Sequence, residues 1–174
     1  MASLSLEKLN EIHDISSFDC DDVDLNNYLK DDALLSQYHL LSTTYVVLSD
    51  GSLIAYFSVL NDKIHINEAD KQIWNKLGRM IPNKKRRSSY PAIKIGRLGV
   101  SCTIHRGGMG TTISDYVKVE MGMKSICGCR FITVDANNDG RAIPFYQKMG
   151  FEFLKESDKR DKTRLMYFDL RQLI

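Results

Sequence analysis

The chain has 174 residues, 24 Lys and Arg against 22 Asp and Glu for a net charge of +2, and 43% apolar residues. That length suits one domain over 1-174 with one core and is short for two. A charge this close to zero gives no global electrostatic reason to expect a nucleic-acid binder, although an uneven distribution can still make a basic face. No apolar run is long enough to span a bilayer, and Met1 to Leu9 lacks the basic-then-apolar pattern of a signal peptide, so the sequence reads as cytoplasmic with no membrane partner. Cys20, Cys102, Cys127 and Cys129 form no C-x-x-C pair and no histidine completes a zinc site, so no metal is expected, and Cys127 and Cys129 read as small core residues.

From Asp21 to Leu40 the apolar residues Val23, Leu25, Tyr28, Leu29, Leu34, Leu35 and Tyr38 recur at helical spacing, with Asp21 or Asp22 as N-cap, which predicts one or two amphipathic helices. Thr43 to Leu48 and Leu53 to Leu60 are strand-like runs around the turn residues Ser49-Asp50-Gly51-Ser52, a β-hairpin. Ala69 to Met80 reads as a helix ending near Pro82, followed by an exposed basic loop, Asn83-Lys84-Lys85-Arg86-Arg87-Ser88-Ser89. Pro91 precedes a strand over Ala92 to Val100. Met109 to Met123 is helical, Phe131 to Val134 a short buried strand, and Ala142 to Met149 a helix closed by Gly150. Phe151 to Leu154 and Leu165 to Leu170 are the last strands. The order is mixed α and β, with βαβ units expected in the second half, and no internal repeat is visible.

The strand ending Gly96-Arg97-Leu98-Gly99-Val100 runs into His105-Arg106-Gly107-Gly108-Met109-Gly110-Thr111 and then a helix. A glycine-rich turn that opens a helix presents unpaired backbone N–H groups at the positive end of the helix dipole, which is how a phosphate or pyrophosphate is held. A P-loop would need lysine after Gly110, where Thr111 stands. A dinucleotide fingerprint would need glycine or alanine at Ile113. A turn without a ligand explains one glycine well and Gly107, Gly108 and Gly110 together poorly.

Gly108-x-Gly110 resembles the Q/R-x-x-G-x-G/A signature of the GNAT N-acetyltransferase superfamily, with His105 in the Q/R place. Downstream, Ala142-Ile143-Pro144-Phe145-Tyr146-Gln147-Lys148-Met149-Gly150-Phe151 is similar to the A-x-x-x-Y-x-x-x-G-F block that ends such domains. Where the family often has asparagine three positions before the alanine, Asp139 stands, with Asn137 and Asn138 just upstream. The resemblance implies a single α/β GNAT-like domain with a central mixed, mostly antiparallel twisted sheet flanked by helices, and acetyl-CoA as cosubstrate. It implies contacts to that cosubstrate from Leu98, Gly99, Val100, His105, Arg106, Gly107, Gly108, Met109, Gly110, Thr111, Asn138 and Phe145, with Tyr146 near the sulfur as catalytic residue. Phe18-Asp19-Cys20, Leu25-Asn26-Asn27-Tyr28-Leu29, Thr44-Tyr45-Val46-Val47, Ala55-Tyr56-Phe57-Ser58 and Ile95-Gly96-Arg97-Leu98-Gly99-Val100 follow the order seen in GNAT toxins of toxin-antitoxin pairs, which acetylate the amino group of aminoacyl-tRNA. That narrower resemblance implies an aminoacyl-tRNA acceptor, an antitoxin partner and a homodimer.

Acetyl transfer from a thioester to an amine needs a polarised carbonyl and a protonated leaving thiolate. A bulge near Leu98 to Val100 would free a backbone N–H for the acetyl oxygen, and Gly99 is compatible with one. Tyr146, with an ordinary pKa of about 10, keeps its proton at neutral pH and suits the general acid. Neither Glu120 nor Asp135 has the spacing of a general base. The alternatives are a small-molecule or protein amine as acceptor, and a non-catalytic CoA-binding module.

Overall fold

The structure is a computed structural model that describes residues 4–79, 81–104, 109–124 and 126–174. Seven strands form one sheet in the order β1-β2-β3-β4-β5-β7-β6, a mostly antiparallel open sheet flanked by helices. The strands are β1 (Leu4–Lys8), β2 (Thr43–Ser49), β3 (Ser52–His65), β4 (Ser89–Val100), β5 (Phe131–Asn137), β6 (Glu152–Phe153) and β7 (Thr163–Asp169). The α-helices are α1 (Val23–Asn27), α2 (Ala33–Tyr38), α3 (Lys71–Gly78), α4 (Met109–Lys118) and α5 (Ala142–Lys148). By contact the chain divides into two compact units, Met1–Leu60 with Ile95–Tyr116, and Asn61–Lys94 with Val117–Ile174. Among the described residues no helix is long and apolar enough to cross a membrane.

In the first unit the expected helical stretch forms as α1 and α2 joined by one wide π turn over Tyr28–Asp32. Asp22 caps it, its carboxylate accepting the Leu25 N–H at 3.1 Å. The expected hairpin also forms. Asp50 and Gly51 take φ of 47° and 81°, the paired positive angles whose twist suits a two-residue hairpin loop. Sequence reading missed β1, whose five residues pair antiparallel with β2, Leu6 opposite Val47. Leu9, Phe18, Cys20, Leu29, Ala33, Val46 and Tyr56 make the core of this unit.

In the second unit α3 packs Leu77 into a core with Ile64, Tyr90, Ala92, Phe131, Leu154 and Tyr167. Rings run through it in series, Trp74 on Tyr90 at 5.0 Å, Tyr90 to Phe131 at 6.2 Å and Phe131 to Tyr167 at 6.0 Å. Pro91 lies inside β4 rather than ahead of it. Having no N–H to give, it serves as an acceptor, its carbonyl taking the Arg130 N–H at 3.0 Å. The βαβ expectation needs correction at β5-α5-β6. Both strands pair antiparallel with β7, so they are parallel to each other with β7 inserted between them. The basic stretch is exposed, with a short 3-10 turn at Asn83–Lys85.

Candidate active site

The end of β4 is shaped by two glycines. A Cβ on Gly96 would meet the Leu60 side chain at 3.1 Å, and one on Gly99 would meet the Tyr56 ring at 2.6 Å. Leu60 and Tyr56 are four apart on β3 and share a face, because side chains alternate with a period of two. Gly96 and Gly99 are three apart, yet they turn to that same face. The alternation of β4 therefore slips by one residue between them, which is the signature of a β-bulge and leaves one residue of the strand outside the ladder. Tyr56 cannot retreat easily: its hydroxyl donates to the Leu25 carbonyl at 2.6 Å, and its ring packs edge-on against Phe18 at 5.5 Å. Only glycine fits at 99.

Around this point Gly99 is buried, Leu98 and Val100 are half-buried, and Arg97 is exposed. The Arg97 guanidinium lies 5.2 Å from the centre of the Tyr28 ring. The Tyr28 hydroxyl is in turn 3.1 Å from that of Ser42. Beyond the bulge the Ser101 N–H donates to Ile54 at 2.8 Å and the Cys102 N–H to Asp19 at 2.9 Å, tying the strand end down. His105, Arg106, Gly107 and Gly108 lie outside the described residues, as does the side chain of Met109. The helix starts where the sequence places it, at Met109, with Gly110 and Thr111 half-buried in its first turn.

The second unit carries Asn138, Phe145 and Tyr146. The Asp139 carboxylate accepts the N–H groups of Arg141 at 2.9 Å and Ala142 at 2.7 Å, capping the start of α5. Those two bonds hold its carboxyl below the usual range, the Ala142 N–H contributing most. Pro144 falls in the first turn, where a missing N–H costs nothing. At the other end Gly150 adopts φ 81°. Its N–H donates to Gln147 at 2.9 Å, and the Phe151 N–H donates to Tyr146 at 3.0 Å. This pair of bonds is the Schellman motif, in which glycine supplies the left-handed residue and the residue after it packs on the one that opens the last turn. Here that contact is Phe151 against Tyr146, ring centres 5.4 Å apart. The Y-x-x-x-G-F spacing is thus a helix terminator built around Tyr146.

Tyr146 is buried at 8% exposure and packs edge-on against Phe145 at 5.2 Å. Its hydroxyl has no hydrogen-bond partner among the described residues. Burial pushes its pKa well above the usual tyrosine value, so the group is a proton carrier at any ordinary pH. The side-chain amide of Asn138 donates to the carbonyls of Lys159 at 3.0 Å and Asp161 at 2.9 Å, and its backbone N–H to Lys162, so its amide nitrogen holds the loop before β7.

Glu120 receives Lys124 at 2.5 Å, and Asp135 is paired with Lys94, so neither carboxylate stands free. A polar cavity of about 250 Å³ in the second unit is lined by Asp62, Lys94, Thr133, Asp135 and Asp158 among others. Its groups largely satisfy one another: Thr133 donates to Asp62 at 2.5 Å, and buried Asp158 takes Arg164 at 2.6 Å and the Leu165 N–H at 2.8 Å. Asp19, Asp21 and Cys102 form a grouping of metal-donor atoms within 4.8 Å of one another. The Asp19 carboxylate is already engaged by the Asp21 N–H and the Asn26 amide.

The strand order, the helix that starts at Met109 and the tyrosine-bearing α5 belong to a mixed α/β fold built on one mostly antiparallel open sheet. No family model matches the sequence. Among solved structures, AtaT complexed with acetyl-methionyl-tRNAfMet superposes with a TM-score of 0.78 at 18% identity, covering 98% of this chain and 97% of that one. A tyrosine-to-phenylalanine mutant of KacT gives 0.77 at 20% identity, covering 98% and 99%. AtaTR bound with acetyl-CoA gives 0.74 at 17% identity, covering 98% and 95%. At these identities the likeness is one of fold over nearly the whole chain.

Proposed function

We propose that this chain is an acetyl-CoA-dependent N-acetyltransferase that acetylates the α-amino group of aminoacyl-tRNA, as a toxin held in check by an antitoxin. The observation that carries the reading is Tyr146, a buried tyrosine with an unshared hydroxyl, fixed by the terminator of α5. The fold shared with AtaT and KacT supports it, as do the acetyl-methionyl-tRNA and acetyl-CoA bound in AtaT structures. In this reading the turn from His105 to Thr111 holds the CoA pyrophosphate through backbone N–H groups, and the bulge in β4 offers an N–H from Leu98 to Val100 to the acetyl oxygen. The amine attacks the thioester carbonyl, the carbon–sulfur bond breaks, and Tyr146 donates its O–H to the departing sulfur. The proton lost by the attacking amine restores it, so the products are the amide and free CoA thiol. An aminoacyl ester amine has a low enough pKa for water to take its proton, which fits the paired state of Glu120 and Asp135; most of the rate then comes from positioning. Chains acting in the cytoplasm as homodimers complete the reading, and gel filtration against mass standards tests the dimer.

The test is Tyr146→Phe, which removes one oxygen from a packed ring. Turnover of acetyl-CoA with a panel of aminoacyl-tRNAs, followed by thiol release, is expected to fall about 10²- to 10⁴-fold, the range of a lost general acid. Acetyl-CoA binding by calorimetry stays unchanged. Full turnover in the variant sinks the acid role, and turnover on small amines but on no aminoacyl-tRNA sinks the acceptor.

A further inference from the structure

Lys118, the last residue of α4, is a buried cation that the chemistry above does not use. Only 5% of it is exposed, and an ammonium is held out of water only where its bonds are made good. Its Nζ donates to the Met149 carbonyl at 2.7 Å and lies 4.5 Å from the centre of the Phe168 ring. Met149 is the C-cap of α5. The last carbonyls of a helix have no intrahelical partner and carry the negative end of its dipole, where a cation is favoured. The Schellman bonds serve the carbonyls of Tyr146 and Gln147, and Lys118 serves that of Met149.

We infer that Lys118 is a positioning residue for Tyr146, acting through the C-terminal cap of α5. The inference rests on the role given to Tyr146 above. Two paths connect them. Along the backbone, Met149 donates to the Tyr146 carbonyl at 3.1 Å while its own carbonyl is held by Lys118. Through the side chains, Lys118 covers Phe168, Phe168 packs on Phe151 at 5.7 Å, and Phe151 packs edge-on against Tyr146 at 5.4 Å. Removing the ammonium frees both at once. The helix end can then rotate, and a displacement of about 1 Å in a reacting group costs on the order of 100-fold in rate.

The experiment is a double-mutant cycle of Lys118→Met, which keeps the stem and deletes the charge, with Tyr146→Phe, on the full chain. The ring signal of labelled Tyr146 is read by NMR in parallel. Lys118→Met is expected to lower kcat about 10- to 100-fold with KM for acetyl-CoA unchanged, and to shift the Tyr146 signal. In the Tyr146→Phe background it costs nothing further, since the hydroxyl it positions is gone. Lys118→Arg, which keeps a charged donor, recovers part of the loss and serves in place of Lys118→Met should that variant not fold. A signal that does not move, or rate losses that multiply, overturns the inference. A signal that moves while Tyr146→Phe keeps full turnover supports the positioning and overturns the acid role instead.

Discussion

Gly150 and Gly51 share φ of 81° and differ in what surrounds them, so replacing each with alanine separates backbone strain from packing. An L-residue in the left-handed region costs roughly 1–2 kcal/mol, and the restriction of the unfolded chain by alanine is common to both. At Gly51 a Cβ meets nothing within 4 Å, so Gly51→Ala is expected to lose that backbone cost alone. At Gly150 a Cβ comes within 3.2 Å of the Phe168 ring, which is confined by Phe151 on one side and Lys118 on another. Overpacking of this kind adds about 1 kcal/mol or more. Urea denaturation is expected to show Gly150→Ala as the less stable of the two by that margin. Turnover distinguishes them further: Gly150→Ala disturbs the turn that holds Tyr146 and lowers kcat, whereas Gly51→Ala, which touches no residue of that turn, leaves it unchanged. Equal stabilities would refute the packing argument, and a wild-type kcat in Gly150→Ala would refute the claim that this cap sets the tyrosine.

Gly99→Ala places a methyl where the Tyr56 ring stands and is expected to cost about 1–3 kcal/mol and most of the turnover; unchanged thermal stability would show that the ring yields. Among the described residues Lys84, Lys85, Arg86 and Arg87 have no acidic partner, and if they meet tRNA phosphates, their change to alanine flattens the salt dependence of tRNA binding by up to about 0.9 log units per lost contact. An unaltered salt slope removes the loop from the interface. Burial raises the pKa of Tyr56, Tyr146 and Tyr167, with Cys20 adding at Tyr56 and Glu152 at Tyr167. Since the unfolded tyrosines ionise near pH 10, the stability these three contribute is fully present below that pH and is lost as pH rises above it. Tyrosinate absorbance from them is expected to appear together with unfolding, and their smooth titration near pH 10 in a folded chain would contradict the burial argument.

What the sequence displayed was whatever depends on near neighbours. Asp22 as a cap, Asp50-Gly51 as a hairpin turn and Gly150 as a helix terminator each act within a few residues, and all three formed. β1 was hidden because Leu4 to Lys8 is a strand only through its pairing with β2. The insertion of β7 between β5 and β6 was hidden for the same reason, since alternation within a strand does not name its neighbour. At the site, Gly99 was legible as compatible with a bulge, but its cause, the Tyr56 ring more than forty positions earlier in sequence, was not. Asn138 shows the same limit: the sequence places it beside the family block, but nothing in that spacing marks the carbonyls of Lys159 and Asp161 to which its amide donates.

Lys118 was invisible for a further reason. Written in a helix beside Val117 and Val119, a lysine reads as one more solvated charge, and nothing nearby asks for it. Its Nζ donates to a backbone carbonyl thirty-one residues on, a group every residue possesses and no sequence pattern marks. The terminator of α5 explains why a cation is wanted there. Glycine at 150 and phenylalanine at 151 end the helix and satisfy the carbonyls of Tyr146 and Gln147, while the carbonyl of buried Met149 lies in the core rather than in water. A buried carbonyl needs a donor, and the one that reaches it comes from the end of α4. The same chain of residues that stops α5 thereby fixes the ring of Tyr146, and a motif recognised as chemistry proves to be, in its local physics, a device for ending a helix in one orientation.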